Sequence, residues 1–234
     1  MNCVISMFDE SGNALRPWAE AGYVCYAFDI LNDFRIELVG KGCIIYEYAD
    51  LRDPVYINKI VNLKPMFLMG FPPCDDLAVS GTKHWSKKAE IDPLFQDKAV
   101  SLAMTVPFIG MMTGAKWFFE NPVGALSSKY RKPDFYFDPY HFGGYLPVDD
   151  IHPRWPDYIK PRDSYPKKTG IWSGNGFVQP SRLPVSVEPG YSDQHKKLGG
   201  KSKKTKQIRS EGPRGFLKAV HLFNDPAINS STSS

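Results

Sequence analysis

Short apolar runs alternate with polar or helix-forming segments through the first half of the chain. Residues 3–8, 23–28, 43–48, 66–70 and 116–119 are apolar over stretches too short for helices and are rich in β-branched and aromatic side chains. Each run predicts a strand. Between them, 9–13 is a glycine-containing polar turn, and 14–21 forms a helix with Pro17 in its first turn and Gly22 as its stop. Residues 53–62 form a second helix, and 91–113 a long, mostly apolar one with Pro107 as its kink. Strands alternating with helices predict βαβ units and a mostly parallel sheet. A chemistry-bearing polar residue follows each strand: Asp9 and Glu10, Asp29, Asp50, Cys74 and Glu120. In an open parallel sheet the carboxyl ends of the strands line the ligand crevice, so these residues are expected along one edge.

The second half has a different texture. Residues 130–165 are dense in Pro, Tyr, Phe, Asp and His, the composition of a structured loop packed by its own aromatics. A short strand is expected within 169–177 and a final helix over 212–224, started by Pro213. Between them Lys196, Lys197, Lys201, Lys203, Lys204, Lys206 and Arg209 form a basic loop with no acid inside it. Such a run is either a solvated, flexible loop or a phosphate contact. The tail 229–234 is of low complexity and reads as disordered. The expected organisation is a core over 1–125, a loop-rich recognition region over 126–210, a helix over 211–228 returning to the core, and the tail.

Composition narrows the class. A chain of 234 residues that is 42% hydrophobic and 23% charged is globular, with room for one domain and a small appendage. A net charge of +4 argues only weakly for a nucleic-acid partner. No apolar run approaches the roughly 18 residues of a membrane span. The start lacks the basic and long apolar regions of a secretory signal, so a cytoplasmic, reducing location with free thiols is expected. Cys3, Cys25, Cys43 and Cys74 form no CxxC pair, and His141, His152, His195 and His221 lack ligand spacing, so no metal site is expected. Cys3, Cys25 and Cys43 sit in strand-like runs and read as core residues.

Cys74 differs. It follows Pro72-Pro73 at the mouth of a strand, where the prolines stiffen the loop and aim the next side chain. A thiol there is either a nucleophile exposed to the crevice or a buried structural cysteine. Glu120, after two phenylalanines, is either a desolvated general acid or an acid turned to solvent. Asp29 and Asp50 end strands, where an acid accepts from ribose hydroxyls or simply closes a turn. Ser11-Gly12-Asn13 falls short of a glycine-rich fingerprint. Trp155 and Tyr158 either stack on a base or pack the loop, and Asp149-Asp150 reads as a solvated turn.

Gly70-Phe71-Pro72-Pro73-Cys74-Asp75-Asp76-Leu77-Ala78-Val79-Ser80-Gly81 resembles the Pro-Cys motif of the DNA cytosine-5 methyltransferase family, in which an apolar residue and a Ser-x-Gly follow the nucleophile. Phe119-Glu120-Asn121-Pro122 is similar to that family's Glu-Asn-Val motif, and residues 6–30 and 49–51 resemble its cofactor segments. The likeness runs over about 1–125. Beyond it, Phe137-Asp138-Pro139, 165–172 and 209–216 resemble segments of short bacteriophage members. The resemblance implies a Rossmann-like, S-adenosylmethionine-dependent α/β fold with a mostly parallel sheet and a loop-rich C-terminal part. It implies Cys74 as the thiolate that adds to cytosine C6 and Glu120 as the group that protonates or hydrogen-bonds N3. Phe8 then packs on the adenine of the cofactor, Asp29 holds its ribose and Asp50 accepts from its amino group, with Asp9, Glu10, Gly12, Asn13, Ile30, Leu51 and Pro72 completing that site. Ser80, His84, Asn121, Pro122, Lys167 and Lys168 fall to the DNA, whose cytosine is flipped out or already single-stranded. The implied protein is a monomer, with a dimer also open.

The chain departs from the family pattern at Glu10, where the first motif has glycine, and at Pro122, where it has valine. It also lacks a Gln-x-Arg-x-Arg, a Gly-Asn-Ser near its end and a large target-recognition domain, which implies a short or loose target. Two alternatives stay open: the same thiol chemistry on a nucleotide or with another transferred group, and a catalytically degenerate binder of DNA or a host protein.

Overall fold

The computed structural model describes residues 3–187, 194, 197–199 and 202–230. The chain forms two units, Met1–Tyr136 with Thr169–Phe177, and Phe137–Lys168 with Val178–Ser234. The boundary therefore falls later than residue 125, and one strand from the second half of the chain belongs to the first unit.

The first unit is built on an eight-stranded mixed sheet. Its strands are β1 (Cys3–Met7), β2 (Val24–Asp29), β3 (Arg35–Val39), β4 (Gly42–Tyr48), β5 (Phe67–Gly70), β6 (Lys116–Pro122), β7 (Phe135–Phe137) and β8 (Thr169–Gly174). Their spatial order is β3-β4-β2-β1-β5-β6-β8-β7. The five expected strands, β1, β2, β4, β5 and β6, run parallel to their neighbours, while β3 lies antiparallel on β4 and β8 antiparallel on β6. This is the α/β, mostly parallel architecture expected, and it is compatible with a Rossmann-like fold. From β1 the chain builds outward in one direction through β2 and β4, then returns to build through β5 and β6. The switch point lies between β1 and β5, where ligands bind in open α/β sheets.

Central β1 is buried along its whole length, as its uninterrupted apolar pattern requires. One sheet face carries Ile5, Met7, Phe28, Leu68 and Phe119, in one core with Ile60 of α2 (Pro54–Asn62) and Val106 and Ile109 of α5 (Thr105–Thr113). On the other face Trp18 of α1 (Arg16–Glu20) packs on Phe67 at 4.9 Å between ring centroids, and Phe67 contacts Phe118 and Phe177. Asp53 caps α2 by accepting from the Val55 amide at 2.9 Å, with Pro54 at its first position.

The helix expected over 91–113 is interrupted. The structure has α3 (Trp85–Ile91), α4 (Phe95–Ala103) and α5, with breaks at Asp92–Leu94 and at Met104. Asp92 is extended because Pro93 follows it. The break at Met104 falls in the turn before Pro107, which has no N–H to bond that turn, and it leaves Pro107 in the first turn of α5, where an N–H has no acceptor to lose. After β6 a single turn, α6 (Leu126–Lys129), leads toward β7.

In the second unit Phe137 and Phe216 stack at 4.2 Å between ring centroids, and Phe142 meets both edge-on. Phe216 belongs to α8 (Arg214–Asn224), so the final helix is part of this unit. The basic segment is partly helical rather than a loop. Ser202 caps α7 (Lys203–Ser210) by accepting from the Thr205 amide at 3.1 Å, and Thr205 and Ile208 are buried. The helix ends by forming a small core with Ile159, Tyr165 and Leu198. A last turn, α9 (Pro226–Ser230), covers the start of the expected tail. His195, Lys196, Lys201 and residues 231–234 lie outside the described residues. Among those described, no helix is long and apolar enough to cross a membrane, and no cluster of three His, Cys, Asp or Glu side chains could hold a metal ion. None of the four cysteines is in a disulfide; Cys3 and Cys25 are buried and Cys43 half-buried.

Candidate active site

Strand register aligns the chemistry-bearing residues. Met7 is level with Phe28 and Gly70, Gly70 with Phe119, and Asp29 with Tyr48. Phe8, Asp29, Asp50, Cys74 and Glu120 therefore all emerge at the carboxyl edge. Glu120 lies inside β6 rather than after it, opposite Ile171 of β8, and alternates onto the same sheet face as Phe118. It is half-buried.

The loop carrying Cys74 is stitched to the segment that follows Glu120. The buried Asn121 side chain donates through Nδ2 to the Pro72 carbonyl at 3.1 Å. Val79 N donates to Val123 O at 3.0 Å, Ala125 N donates to Leu77 O at 2.8 Å, and Ala78 bridges Gly124. Gly124 is required by this approach: a Cβ there would collide with the Leu77 carbonyl. Within the loop, the amides of Leu77 and Ala78 both donate to the Cys74 carbonyl, at 3.0 and 2.8 Å, closing a tight turn. Cys74 is half-buried at its head, neither sealed in the core nor fully open. The loop after Cys74 and the end of the strand bearing Glu120 are thus clamped together, although the two residues lie far apart in sequence.

The turn after β1 is organised from within. Phe8 holds a left-handed backbone (φ 59), its amide donating to Phe28 O at 2.8 Å. The buried Asp9 carboxylate accepts from Ser6 Oγ at 2.8 Å, from the amide and hydroxyl of Ser11, and from the Gly12 amide at 2.7 Å. Asp9 is expected at the cofactor site, and in the structure both of its oxygens are engaged by this turn. Gly12 also has a left-handed backbone (φ 67) and packs on the Tyr46 ring, where any Cβ would clash. Tyr46 OH donates to Glu37 Oε2 at 2.8 Å, and Arg35 lies 3.4 Å above the Tyr46 ring while donating to the Glu10 carbonyl. Asn13 accepts from Arg16 Nε at 3.2 Å.

At the end of β2, Asp29 Oδ1 accepts from the Leu31 amide at 2.8 Å. Burial pushes its carboxyl up; the Leu31 amide opposes this, and the charges of Asp9 and Glu10 add to it. Ile30 and Leu31 beside it are exposed apolar side chains. Asp50 is held differently from expectation. Both its oxygens accept from the Arg52 guanidinium, at 2.8 and 2.7 Å, and this hydrogen bonding holds its carboxyl down at about 2. Leu51 is buried.

Ser80 and His84 lie exposed on the 3-10 turn Val79–His84 that continues the Cys74 loop. Trp85 starts α3, and Lys88 on that helix pairs with Asp76, tying α3 to the same loop. Pro122 ends β6. Lys167 and Lys168 are in the second unit, where Lys167 Nζ donates to the Arg209 carbonyl at 2.7 Å and its amide to Asp138 Oδ1. Residue patterning missed Tyr46, Arg35, Arg52 and Gly124. Of these only Arg52, two residues from Asp50, left a readable signal. In comparisons with known proteins, no family model matches this chain and no curated protein matches it.

Proposed function

We propose that the protein modifies the C5 position of cytosine in DNA, as an S-adenosylmethionine-dependent methyltransferase. The observation that carries this is the stitch between the Cys74 loop and the end of β6, which supports a nucleophile and a carboxyl group on joined segments at the carboxyl edge of the sheet, next to its switch point. In this reading the Cys74 thiolate adds to C6, which consumes the C5–C6 double bond and makes C5 the nucleophilic carbon of a C4–C5 enamine. Glu120 hydrogen-bonds or protonates N3, where charge collects as the sulfur bonds. C5 takes the methyl group, a base removes the C5 proton, and the C–S bond breaks to return the thiolate. Because a stacked base is out of reach, the target cytosine is extrahelical or single-stranded.

The residues at the end of β2 fit the cofactor. Asp29 offers its second carboxylate oxygen to a diol, Ile30 and Phe8 offer apolar surface to a flat base, and the acids Asp9, Glu10 and Asp29 suit a cationic ligand. When bound, S-adenosylmethionine supplies an electrophilic methyl group.

One observation favours a second reading. The Ser11 and Gly12 amides serve Asp9, and Asp50 serves Arg52, so two expected cofactor contacts are satisfied internally. The same thiol addition with a different transferred group, or on a free nucleotide, accommodates this. The test is adduct trapping with DNA containing 5-fluorocytosine, whose C5 substituent cannot leave as a proton does. An adduct at Cys74 that needs S-adenosylmethionine supports the first reading. An adduct with the fluorinated nucleotide but not with DNA supports the second, and no adduct with either refutes both.

A further inference from the structure

The basic segment at α7 reads from the sequence as either a solvated, flexible loop or a phosphate contact, and the candidate active site does not use it. Its side chains are sorted. Thr205 and Ile208 point inward, Lys203 and Lys206 point outward, and Lys204 and Arg209 flank them, all four cations being exposed. The helix contains no acid to pair with any of them. Two lysines occupy its first two positions, where the helix dipole disfavours cations, so the arrangement costs stability unless an anion is present.

The platform is firm. Besides the Ser202 cap and the small core under Ile208, Arg209 donates to Leu198 O at 3.0 Å, and Lys167 brings a further ammonium to the Arg209 carbonyl. Two aromatic rings that are half-buried against that small core, Trp155 and Tyr158, adjoin the cations. Lys204 Nζ lies 5.0 Å from the centre of the Tyr158 ring and 5.9 Å from that of Trp155, and the Arg154 guanidinium lies 4.8 Å from Trp155. The indole is fixed because its Nε1–H donates to the buried Glu211 carboxylate at 3.1 Å. Cations in a row beside anchored aromatic rings are the combination that tracks a polynucleotide backbone and stacks its bases. At a rise of about 1.5 Å per residue, Lys203 to Arg209 spans about 9 Å, enough for two to three phosphates of one strand.

We propose that the exposed face of α7, with Arg154, Trp155 and Tyr158, is a nucleic-acid-binding surface that contacts the phosphate backbone without reading sequence. It deepens the DNA half of the proposed function, yet it stands on residues outside the Cys74 site, and the two can fail separately. The test is fluorescence anisotropy with labelled single-stranded and duplex DNA across a salt series, on the full chain without added cofactor. Lys203→Ala/Lys206→Ala is compared with Lys41→Ala/Lys132→Ala, which removes the same charge from exposed positions of the first unit. Thermal melting confirms that both variants fold. The α7 variant should lower the slope of log affinity against log salt by about 2, equally for unrelated sequences, while the control leaves it unchanged. Trp155→Leu should weaken single-strand binding at unchanged slope. Equal slopes in the α7 variant and wild type overturn the surface but leave the proposed function standing. Equal losses in the α7 variant and the control show net charge alone at work and also overturn it. Wild-type protein that binds neither DNA overturns both the surface and the DNA half of the function.

Discussion

Gly124→Ala places a methyl group against the Leu77 carbonyl, at the point where the Cys74 loop is stitched to the segment after β6. Relief requires the two segments to part, which weakens the Val79–Val123 and Ala125–Leu77 hydrogen bonds, now 3.0 and 2.8 Å. Each such bond contributes about 0.5–1.5 kcal/mol net, and overpacking a close contact costs about 1–3 kcal/mol, so a destabilisation of about 2–6 kcal/mol is expected, the upper end only if both bonds are lost outright. Urea unfolding followed by tryptophan fluorescence suits the test, because four of the five tryptophans (Trp18, Trp85, Trp117 and Trp172) are in the first unit. Val123→Ala, at an exposed neighbouring position, should stay within about 0.5 kcal/mol of wild type. Displacing the loop by even 1 Å should also slow cytosine modification by about 100-fold. A Gly124→Ala protein as stable as the Val123→Ala control would refute the clamp, and with it the argument that Cys74 and Glu120 sit on joined segments.

Cys74→Ser should abolish adduct formation, whereas Glu120→Gln should retain DNA binding and slow modification by about 100- to 1000-fold, the usual loss for one group that stabilises developing charge; single-turnover assays separate the two. Stability against pH should expose two opposing groups in the second unit. Burial pushes the Asp163 carboxyl up to about 6, so its contribution is present below the ordinary value of 3.8 and is lost as pH rises through 6. Burial and the charge of Arg214 push His152 down to about 4, so its contribution is present above 6.5 and is lost as pH falls through 4. Asp163→Asn should therefore leave a protein that loses stability on acidification from pH 6.5 to 4, and His152→Asn one that gains it, each by up to about 3 kcal/mol in urea titrations; the same pH trend in both variants contradicts the assignment. Arg52→Ala should let the Asp50 carboxyl return upward from about 2, seen by NMR titration, and should tighten S-adenosylmethionine binding in calorimetry if Asp50 turns to the adenine.

What was legible in the sequence follows from burial. β1 and β5 announced themselves because strands covered on both faces must be apolar along their length, and β2, β4 and β6 because their half-buried positions are still apolar or aromatic for most of the run. β3 did not, because Ile36 and Leu38 on this edge strand are exposed and alternate with charged residues, leaving no apolar run to find. The helical part of the basic segment had a signal that the charge obscured: Ser202 at the cap, then Thr205 and Ile208 three apart on one face. Cys74 and Glu120 were legible as residue types at strand ends, but the stitch between them is mostly backbone to backbone and leaves no side-chain pattern beyond Gly124. The internal use of Asp9 was hidden for a related reason. An acid at the start of a turn reads alike whether it faces a ligand or its own amides, and only the fold shows that Ser6, Ser11 and Gly12 surround it.

The central claim is that Cys74 drives modification of cytosine in DNA, and mass spectrometry of nucleosides tests it most directly. DNA is incubated with the protein and S-adenosylmethionine, beside a Cys74→Ser control. The account predicts new 5-methylcytosine that disappears in the control. DNA with no modified cytosine, from protein that calorimetry shows has bound S-adenosylmethionine, would contradict it.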